Sequence, residues 1–555
     1  VYRNVPSRFL PDEVTTETVY AHPRFHYVHN ADDLNATYEF LERGIEENGW
    51  GDRTAVVSLG TDEEITYDEL SRRVDRFAGA LLDLGVEPGD RVLWRFGEVP
   101  EAIVTHLAAW KVGAVVTSST LPENARELRF FLNDTEATVL VTMDERFEQV
   151  EKAIEDADAL EHVVVSGDVS SDYLDFEALA ADADPFADHV QTDPFDVATI
   201  MYTSGTTGRP KGCVHTHAAA VANADADAGE GRGFGPADVS FAPAPIGHGM
   251  GNVEKIKLPF RHGVTVVLAR RPSAGRVLEV IEGQGVTVMN AFGTMIRMMI
   301  NQHDPADYDL SSLRLLVSPV VDEELNRRWV DATGVQLNDA LGMCPLGGIV
   351  LAPYRDGEKF APDVSLGRGL PGYETKLVDV EDPTREIDRG ERGQVKLRGP
   401  SAITYWNNIH PGIPEKMATD THDGWSLLDD VFYQTDDGYL YHVARLDDMI
   451  SSAGRQISAL EVEEVLSGHD AVDEVAVIGK PDDVRGEIVK AFVQLTPAHD
   501  GTDALAAELQ DYAKEQMALY KYPREVEFAA ELPISPQGKL QRQELRQRER
   551  NRDAA

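Results

Sequence analysis

The chain has 555 residues, 42% of them hydrophobic, enough for two or more domains with substantial cores and too many for a largely disordered protein. Its 96 acidic residues against 52 basic ones leave a net charge of −44, which disfavours nucleic acid and anionic membranes, since both need a basic footprint. No uninterrupted apolar run approaches the ~20 residues of a membrane span. The opening Val1-Tyr-Arg-Asn-Val-Pro6 lacks the apolar core of a signal peptide. Cys213 and Cys344 cannot form a disulfide framework, and no metal-ligand cluster includes them. A cytoplasmic enzyme is therefore expected. The acids are spread along the chain, and self-repulsion of this size weakens a compact fold unless counterions screen it. A halophilic protein is the expectation, an unusually acidic mesophilic one the alternative.

The first forty or so residues carry aromatics and prolines without a clear period. Thr66-Tyr-Asp-Glu69 reads as a capping box, the hydroxyl taking an orphan N–H and Glu69 reaching back. Leu70, Val74, Phe77 and Leu81 follow at helical spacing, and Gly85 ends the helix. Strands are predicted over 89–94, 113–117, 138–142 and 162–166, with helices over 101–110 and 125–133 among them. Such alternation argues for a parallel α/β sheet. Residues 168–196, rich in Asp and Ala, read as a solvated connection.

The stretch Thr199-Ile-Met-Tyr-Thr-Ser-Gly-Thr-Thr-Gly-Arg-Pro-Lys-Gly212 opens as a strand and breaks into a loop. Gly205 and Gly208 free the backbone, so that successive N–H groups can converge on an anion. Ser204, Thr206 and Thr207 add hydroxyls, and Lys211 follows. In chemical terms this is a phosphate cradle, the alternative being an ordinary polar turn. Pro210 stands where the nucleotide-binding P-loop has its second glycine, so the cradle is of another kind. The run from Thr203 to Gly212 resembles the phosphate loop of the adenylate-forming superfamily: acyl-CoA synthetases, peptide-synthetase adenylation domains and luciferases.

The resemblance runs from roughly Thr66 to Arg542. It implies an α/β fold with a large N-terminal domain, residues 1–445, of stacked αβ subdomains and a small β subdomain. A hinge at 446–448 and a small mobile α+β C-terminal domain, 449–555, complete it. Thr216 can cap an Ala-rich helix ending near Gly229. Pro245-Ile-Gly-His248-x-x-Gly251 resembles the family's second core motif, which lines the acyl pocket. Gly247 replaces its aromatic residue, a change expected to widen or reshape the pocket. A histidine among glycines is otherwise a structural turn residue, and the resemblance is what places His248 and Gly249 in the pocket. A further βαβ unit covers 264–269, 277–282 and 286–290, leaving Asn290 and Phe292 at a strand end, where open α/β sheets bind ligands.

Two motifs depart from the family. Pro319-Val-Val-Asp322 replaces the small Gly-rich loop that approaches adenine. Leu341-Gly342-Met343-Cys344-Pro345 aligns with aromatic-G-x-T-E, so Cys344 replaces a threonine that meets phosphate or acyl carboxylate. Pro345 replaces the glutamate that helps hold Mg²⁺, which leaves the metal ligands unknown: ATP and water hold the ion, or catalysis is altered. Asp339-Ala-Leu-Gly342 resembles benzoate and 2-aminobenzoate CoA ligases. That likeness points to an aromatic acid, with Asp339 on the ATP side and Gly342 and Met343 in the acyl pocket.

Asp430 aligns with the carboxylate that binds both ribose hydroxyls in the family, and Arg445 with a cation at the nucleotide. Asp447 aligns with the hinge, and Gly454 with the glycine on the CoA route. Ser458 can cap a helix, a strand is predicted over 475–478, and Glu531 to Leu540 resembles the closing motif whose lysine, here Lys539, is catalytic. The resemblance implies an ATP-dependent acid:CoA ligase working through acyl-AMP, with ATP, Mg²⁺ and CoA, a small carboxylic acid as partner and a homodimeric assembly. The alternatives are an adenylate-forming enzyme with another acceptor, against which no carrier domain follows Lys539, and a catalytically impaired nucleotide-binding relative.

Overall fold

A computed structural model describes residues 4–5, 10, 25, 31–168, 172–203, 210–270, 272–319, 323–353, 365–406, 416, 420–422, 424–452, 455–482, 485–517, 520–534 and 540–553. The chain forms two compact units, Val1–Thr375 with Lys396–Leu427, and Lys376–Val395 with Leu428–Ala555. The division expected at 446–448 concerns a swing, which packing alone does not address.

In the first unit two seven-stranded sheets share one design. One runs in space Leu337–Asp339, Leu315–Ser318, Val288–Asn290, Val239–Phe241, Thr265–Leu268, Thr54–Ser58 and Glu63–Thr66. The other runs Leu174–Asp175, His162–Ser166, Val139–Met143, Arg91–Phe96, Val115–Thr120, Val197–Thr203 and Lys211–Thr216. Every neighbouring pair is parallel except the last of each sheet, which is antiparallel. Parallel strands need long crossovers and are covered on both faces, so they read as continuous apolar runs. Val139–Met143 is buried throughout for this reason.

The Thr66 hydroxyl accepts the Glu69 N–H at 3.2 Å and starts the helix Tyr67–Asp83. The Glu69 carboxylate turns instead to Arg73, at 2.8 Å, so half of the expected capping box forms. A guanidinium one turn on offers a charge-assisted bond, stronger than one to a neutral N–H. Thr216 caps its helix as expected, accepting the Ala219 N–H at 3.1 Å, and His217–Ala224 continues into a π-helical turn, Asp225–Gly231.

The reading of 168–196 as a solvated connection is corrected. The segment holds the strand Leu174–Asp175 and the helix Phe176–Asp182, capped by the Asp175 carboxylate on the Ala178 N–H at 2.6 Å. Phe176 is buried and stacks on Phe77 with ring centroids 4.4 Å apart. One aromatic among acids gives no period to read, yet it suffices to anchor the segment.

The strand Trp425–Gln434, which enters the second unit at Leu428, pairs antiparallel there with Leu440–Arg445. A further sheet runs Arg455–Ser458, Met449–Ser452, Gly486–Leu495 and Val472–Asp482, with Glu525–Phe528 against Gly486–Leu495. The helices Ala459–Ser467 and Asp503–Gln516 complete a core of Ile450, Ile457, Leu466, Val477, Val489 and Leu509. The fold is thus mixed α/β, with a large N-terminal and a small C-terminal domain. Among the described residues no helix is long and apolar enough to cross a membrane. Phe176→Ala is expected to cost about 3 kcal/mol, read as a lower denaturation midpoint in molar KCl. An unchanged midpoint would return 168–196 to a solvated connection.

Candidate active site

In the first sheet the loops that leave the carboxyl ends of parallel strands share one edge, the edge where open α/β sheets bind ligands. The His248 segment follows Val239–Phe241, Phe292 follows Val288–Asn290, and Leu341–Met343 follows Leu337–Asp339. The His248 and Phe292 rings meet edge to face, with centroids 5.9 Å apart. His248 caps the short helix Gly249–Asn252, its Nδ1 accepting the Met250 N–H at 3.3 Å.

A buried ion pair sets the path of this segment. The Glu98 carboxylate, from the end of the strand Arg91–Phe96, accepts the Ile246 N–H at 2.8 Å and pairs with the Lys255 ammonium. Lys255 also donates to the Ala244 carbonyl at 2.7 Å. Burial lowers the Lys255 pKa, with the Glu98 charge acting against that shift.

The expectation for Gly247 is corrected by its surroundings. A Cβ there would lie 2.3 Å from the Ser119 carbonyl oxygen, and Ser118 Oγ donates to the Gly247 carbonyl at 3.0 Å. The glycine serves a backbone-to-backbone approach. Its lack of a side chain opens no pocket.

Gly249 sits as tightly, for a Cβ would lie 2.9 Å from Cys344 Sγ and 3.1 Å from Met201 Cε. The His248 segment, the Cys344 turn and the strand Val197–Thr203 therefore converge. His215, on Lys211–Thr216, hydrogen-bonds the Cys344 backbone, and burial pushes its pKa down to about 3, so it is neutral. A Cβ on Gly342 would lie 3.0 Å from the Gly348 carbonyl oxygen, so this glycine lets Leu341–Met343 pair closely with Gly348–Ala352. Met343 is half-buried.

Thr203 and Lys211 are cross-strand partners at the base of the hairpin. Trp406 holds that hairpin, its backbone N–H donating to the Gly212 carbonyl at 2.7 Å. Ser204, Gly205, Thr206, Thr207 and Gly208 lie outside the described residues. Asp339 is buried in register with Ser318, its Oδ1 accepting the Ala340 N–H at 2.9 Å. Asn290 Nδ2 donates to Glu254 at 2.7 Å, which ties it to the buried clamp of Asp227 and Glu254 on Arg232. That leaves Asn290 Oδ1 buried without a partner among the described residues.

In the second unit Asp430 and Arg445 are cross-strand partners, and His442 Nε2 lies 2.9 Å from Asp430 Oδ1. Asp430 is buried and Arg445 exposed. Asp447 lies in the 3₁₀ turn Leu446–Asp448, whose Asp448 is held by Arg542 at 3.2 Å and Arg546 at 2.8 Å. Gly454 and Lys539 lie outside the described residues, as do Val320, Val321 and Asp322. Sequence reasoning missed Glu98, Lys255, Lys257 and His442. No local pattern marks them, since each partner stands far away in the chain or across a strand pair.

Among the described residues no group of three or more His, Cys, Asp or Glu could hold a metal ion. At the Cys344 turn Pro345 offers no ligand and Cys344 a soft one, a poor match for Mg²⁺, which takes oxygen. Glu98→Gln, which leaves the Lys255 charge buried and unpaired, is expected to lower stability by roughly 3 kcal/mol. The matching check is the double variant Glu98→Gln/Lys255→Met, which should recover most of the loss in thermal denaturation.

Comparison with known proteins places this geometry in a family. The AMP-binding enzyme family matches residues 45–406, and the AMP-binding enzyme C-terminal domain matches 461–539. The chain is 32% identical over 520 residues to benzoate–CoA ligase of Thauera aromatica, covering 92% of this chain and 95% of that protein. It is 31% identical to acetyl-coenzyme A synthetase of Rubrobacter xylanophilus, covering 94% and 85%. The crystal structure of an anthranilate CoA ligase in complex with anthranoyl-AMP superposes with a TM-score of 0.85 at 31% identity, covering 95% of this chain and 99% of that one. Matched in both its parts, the chain belongs to the AMP-binding enzyme family, within the adenylate-forming superfamily that its phosphate hairpin resembles.

Proposed function

We propose that this protein is an ATP-dependent, AMP-forming acid:CoA ligase acting on an aromatic, benzoate-like acid. The observation that carries the reading is the near full-length likeness to a benzoate–CoA ligase and to an anthranilate CoA ligase. Hydroxide is a poor leaving group, so a carboxylate must be activated before a thiol can attack it. The acid oxygen attacks the α-phosphorus of ATP and pyrophosphate leaves. The CoA thiol then attacks the acyl carbon and AMP leaves. Such transfers need positioning and charge stabilisation more than covalent help.

In this reading Thr203, Ser204, Gly205, Thr206, Thr207, Gly208 and Lys211 hold the departing phosphates, with Asp339 on the nucleotide side. Asp430 takes the ribose hydroxyls, steadied by His442, and Arg445 is the cationic partner. His248, Gly249, Asn290, Phe292, Gly342 and Met343 surround the acid. Lys539 bridges carboxylate and α-phosphate and offsets their repulsion. Residues 449–555 then swing on the hinge 446–448 about Asp447, withdrawing Lys539 and opening the CoA route at Gly454. The reading extends to a cytoplasmic, salt-adapted homodimer.

The test is acid-dependent ATP–pyrophosphate exchange in molar KCl with Mg²⁺, across benzoate, 2-aminobenzoate, phenylacetate, cinnamate and fatty acids, with CoA added next. Exchange with the ring acids is the expected result; ATP binding without exchange would mark a catalytically impaired relative. Lys539→Ala is expected to lose exchange by at least a hundredfold while still converting a supplied acyl adenylate to thioester. Equal loss of both steps would remove Lys539 from the first. With a charge of −44, the melting temperature should rise between dilute buffer and molar KCl. A flat response would favour an acidic mesophilic protein.

A further inference from the structure

Among the described residues, buried lysines are as a rule matched to carboxylates. Lys111 meets Glu42 and Asp75, Lys255 meets Glu98, Lys490 meets Glu549 at 2.8 Å, and Lys521 meets Glu461. Lys257 departs from the pattern. It is 2% exposed, and its ammonium meets the Met201 sulfur at 3.4 Å. A thioether is a weak acceptor and leaves most of the ammonium's protons unmatched.

The surroundings of Lys257 are polar and equally incomplete. His106 Nδ1 accepts from Trp94 Nε1 at 3.2 Å and lies 3.3 Å from Asn252 Nδ2. The imidazole proton is then on Nε2, which among the described residues is buried without a partner, as are Asn252 Oδ1 and His215 Nε2. Burial lowers the pKa of both imidazoles and the Lys257 charge lowers it further, while the Cys344 thiol acts in turn on Lys257. Burial brings Lys257 down to about 8, so it remains a cation at neutral pH.

Lys257 closes the π-helical turn Val253–Lys257 that follows the His248 segment. Met201, which meets the ammonium, closes over Gly249 together with Cys344, and the Cys344 thiol acts electrostatically on Lys257. The unmatched cation is therefore one flexible thioether, that of Met201, removed from Gly249 in the acid site of the ligase reading.

We propose that Lys257 determines acid specificity by binding an oxygen acceptor that the substrate carries besides its reacting carboxylate, a ring hydroxyl or a second carboxylate. This rests on the ligase reading above. The unbranched Met201 side chain gives way, and an oxygen replaces sulfur as the ammonium's partner. A site built to hydrogen-bond a substrate group discriminates strongly against the analogue lacking it, because the site's buried polar groups then stay unpaired.

The experiment measures kcat/KM for pyrophosphate exchange with benzoate, 3- and 4-hydroxybenzoate, and benzene-1,3- and 1,4-dicarboxylate. Wild type, Lys257→Met and Lys257→Gln are compared in molar KCl, the second variant covering a folding failure of the first. Wild type is expected to favour at least one oxygen-substituted acid over benzoate by tenfold or more, and the variants to lower that ratio at least tenfold. An equal change with every acid, or a wild-type preference for benzoate over all four substituted acids, would overturn the role of Lys257. Silence with every acid would overturn the ligase reading itself.

Discussion

The Glu98 carboxylate joins two parts of the first unit that are remote in sequence. It leaves the end of Arg91–Phe96 in one sheet and takes an N–H from Ile246 and the ammonium of Lys255, both beyond the other sheet's Val239–Phe241. With Lys255 also on the Ala244 carbonyl, the backbone from 244 to 248 has its path set by charge. Two ions this deeply buried add little net stability over apolar residues, but removing one strands the other at a cost of several kcal/mol. The pair fixes where the segment runs. The near contact of Gly247 with Ser119, the capping by His248 and the fit of Gly249 against Cys344 all follow from that path.

Several features of the site are close backbone approaches that a side chain would prevent. Gly247, Gly249 and Gly342 each face an atom at or within 3.0 Å of where a Cβ would stand. A position that departs from a family pattern thus need not enlarge a cavity, and Gly247 shows a glycine required by the neighbouring strand. At Cys344 the substitution has a different result. The small thiol lies against Gly249, where the His248 segment and the strand Val197–Thr203 come together.

Charge is distributed in two regimes. The excess of acids is spread along the chain, whereas most buried lysines and the buried Arg232 among the described residues meet carboxylates, as in the clamp of Asp227 and Glu254 on Arg232. Burial raises the Asp227 pKa to about 6 despite the guanidinium beside it. Arg232 therefore depends on geometry, with bidentate contact from both carboxylates, and Asn290 is drawn into the same cluster. Against that background a buried ammonium facing a thioether is conspicuous.

The strand–helix alternation was legible because parallel strands and their helices impose apolar periods over many residues, and the predicted 162–166 coincides with His162–Ser166. The hairpin that ends in Thr203 and Lys211, with Asp430 and Arg445, could be singled out as candidates through short motifs that resemble the family's, and the structure makes Thr203 and Lys211, and Asp430 and Arg445, cross-strand partners. Where a single side chain decides the structure, periodicity says nothing: Phe176 anchors a segment that composition described as solvated, and Glu69 turns to an arginine one turn away. The sequence by itself determined the family, the two-part architecture and the candidate residues, because local pattern and motif spacing carry that information. Tertiary structure alone decided that Glu98 holds the His248 segment, that His442 meets Asp430, that Gly247 opens no pocket and that Lys257 lies beside Met201 with no carboxylate partner among the described residues. Each of these depends on which distant backbone or side chain comes within about 3 Å, the range over which hydrogen bonds and steric exclusion act.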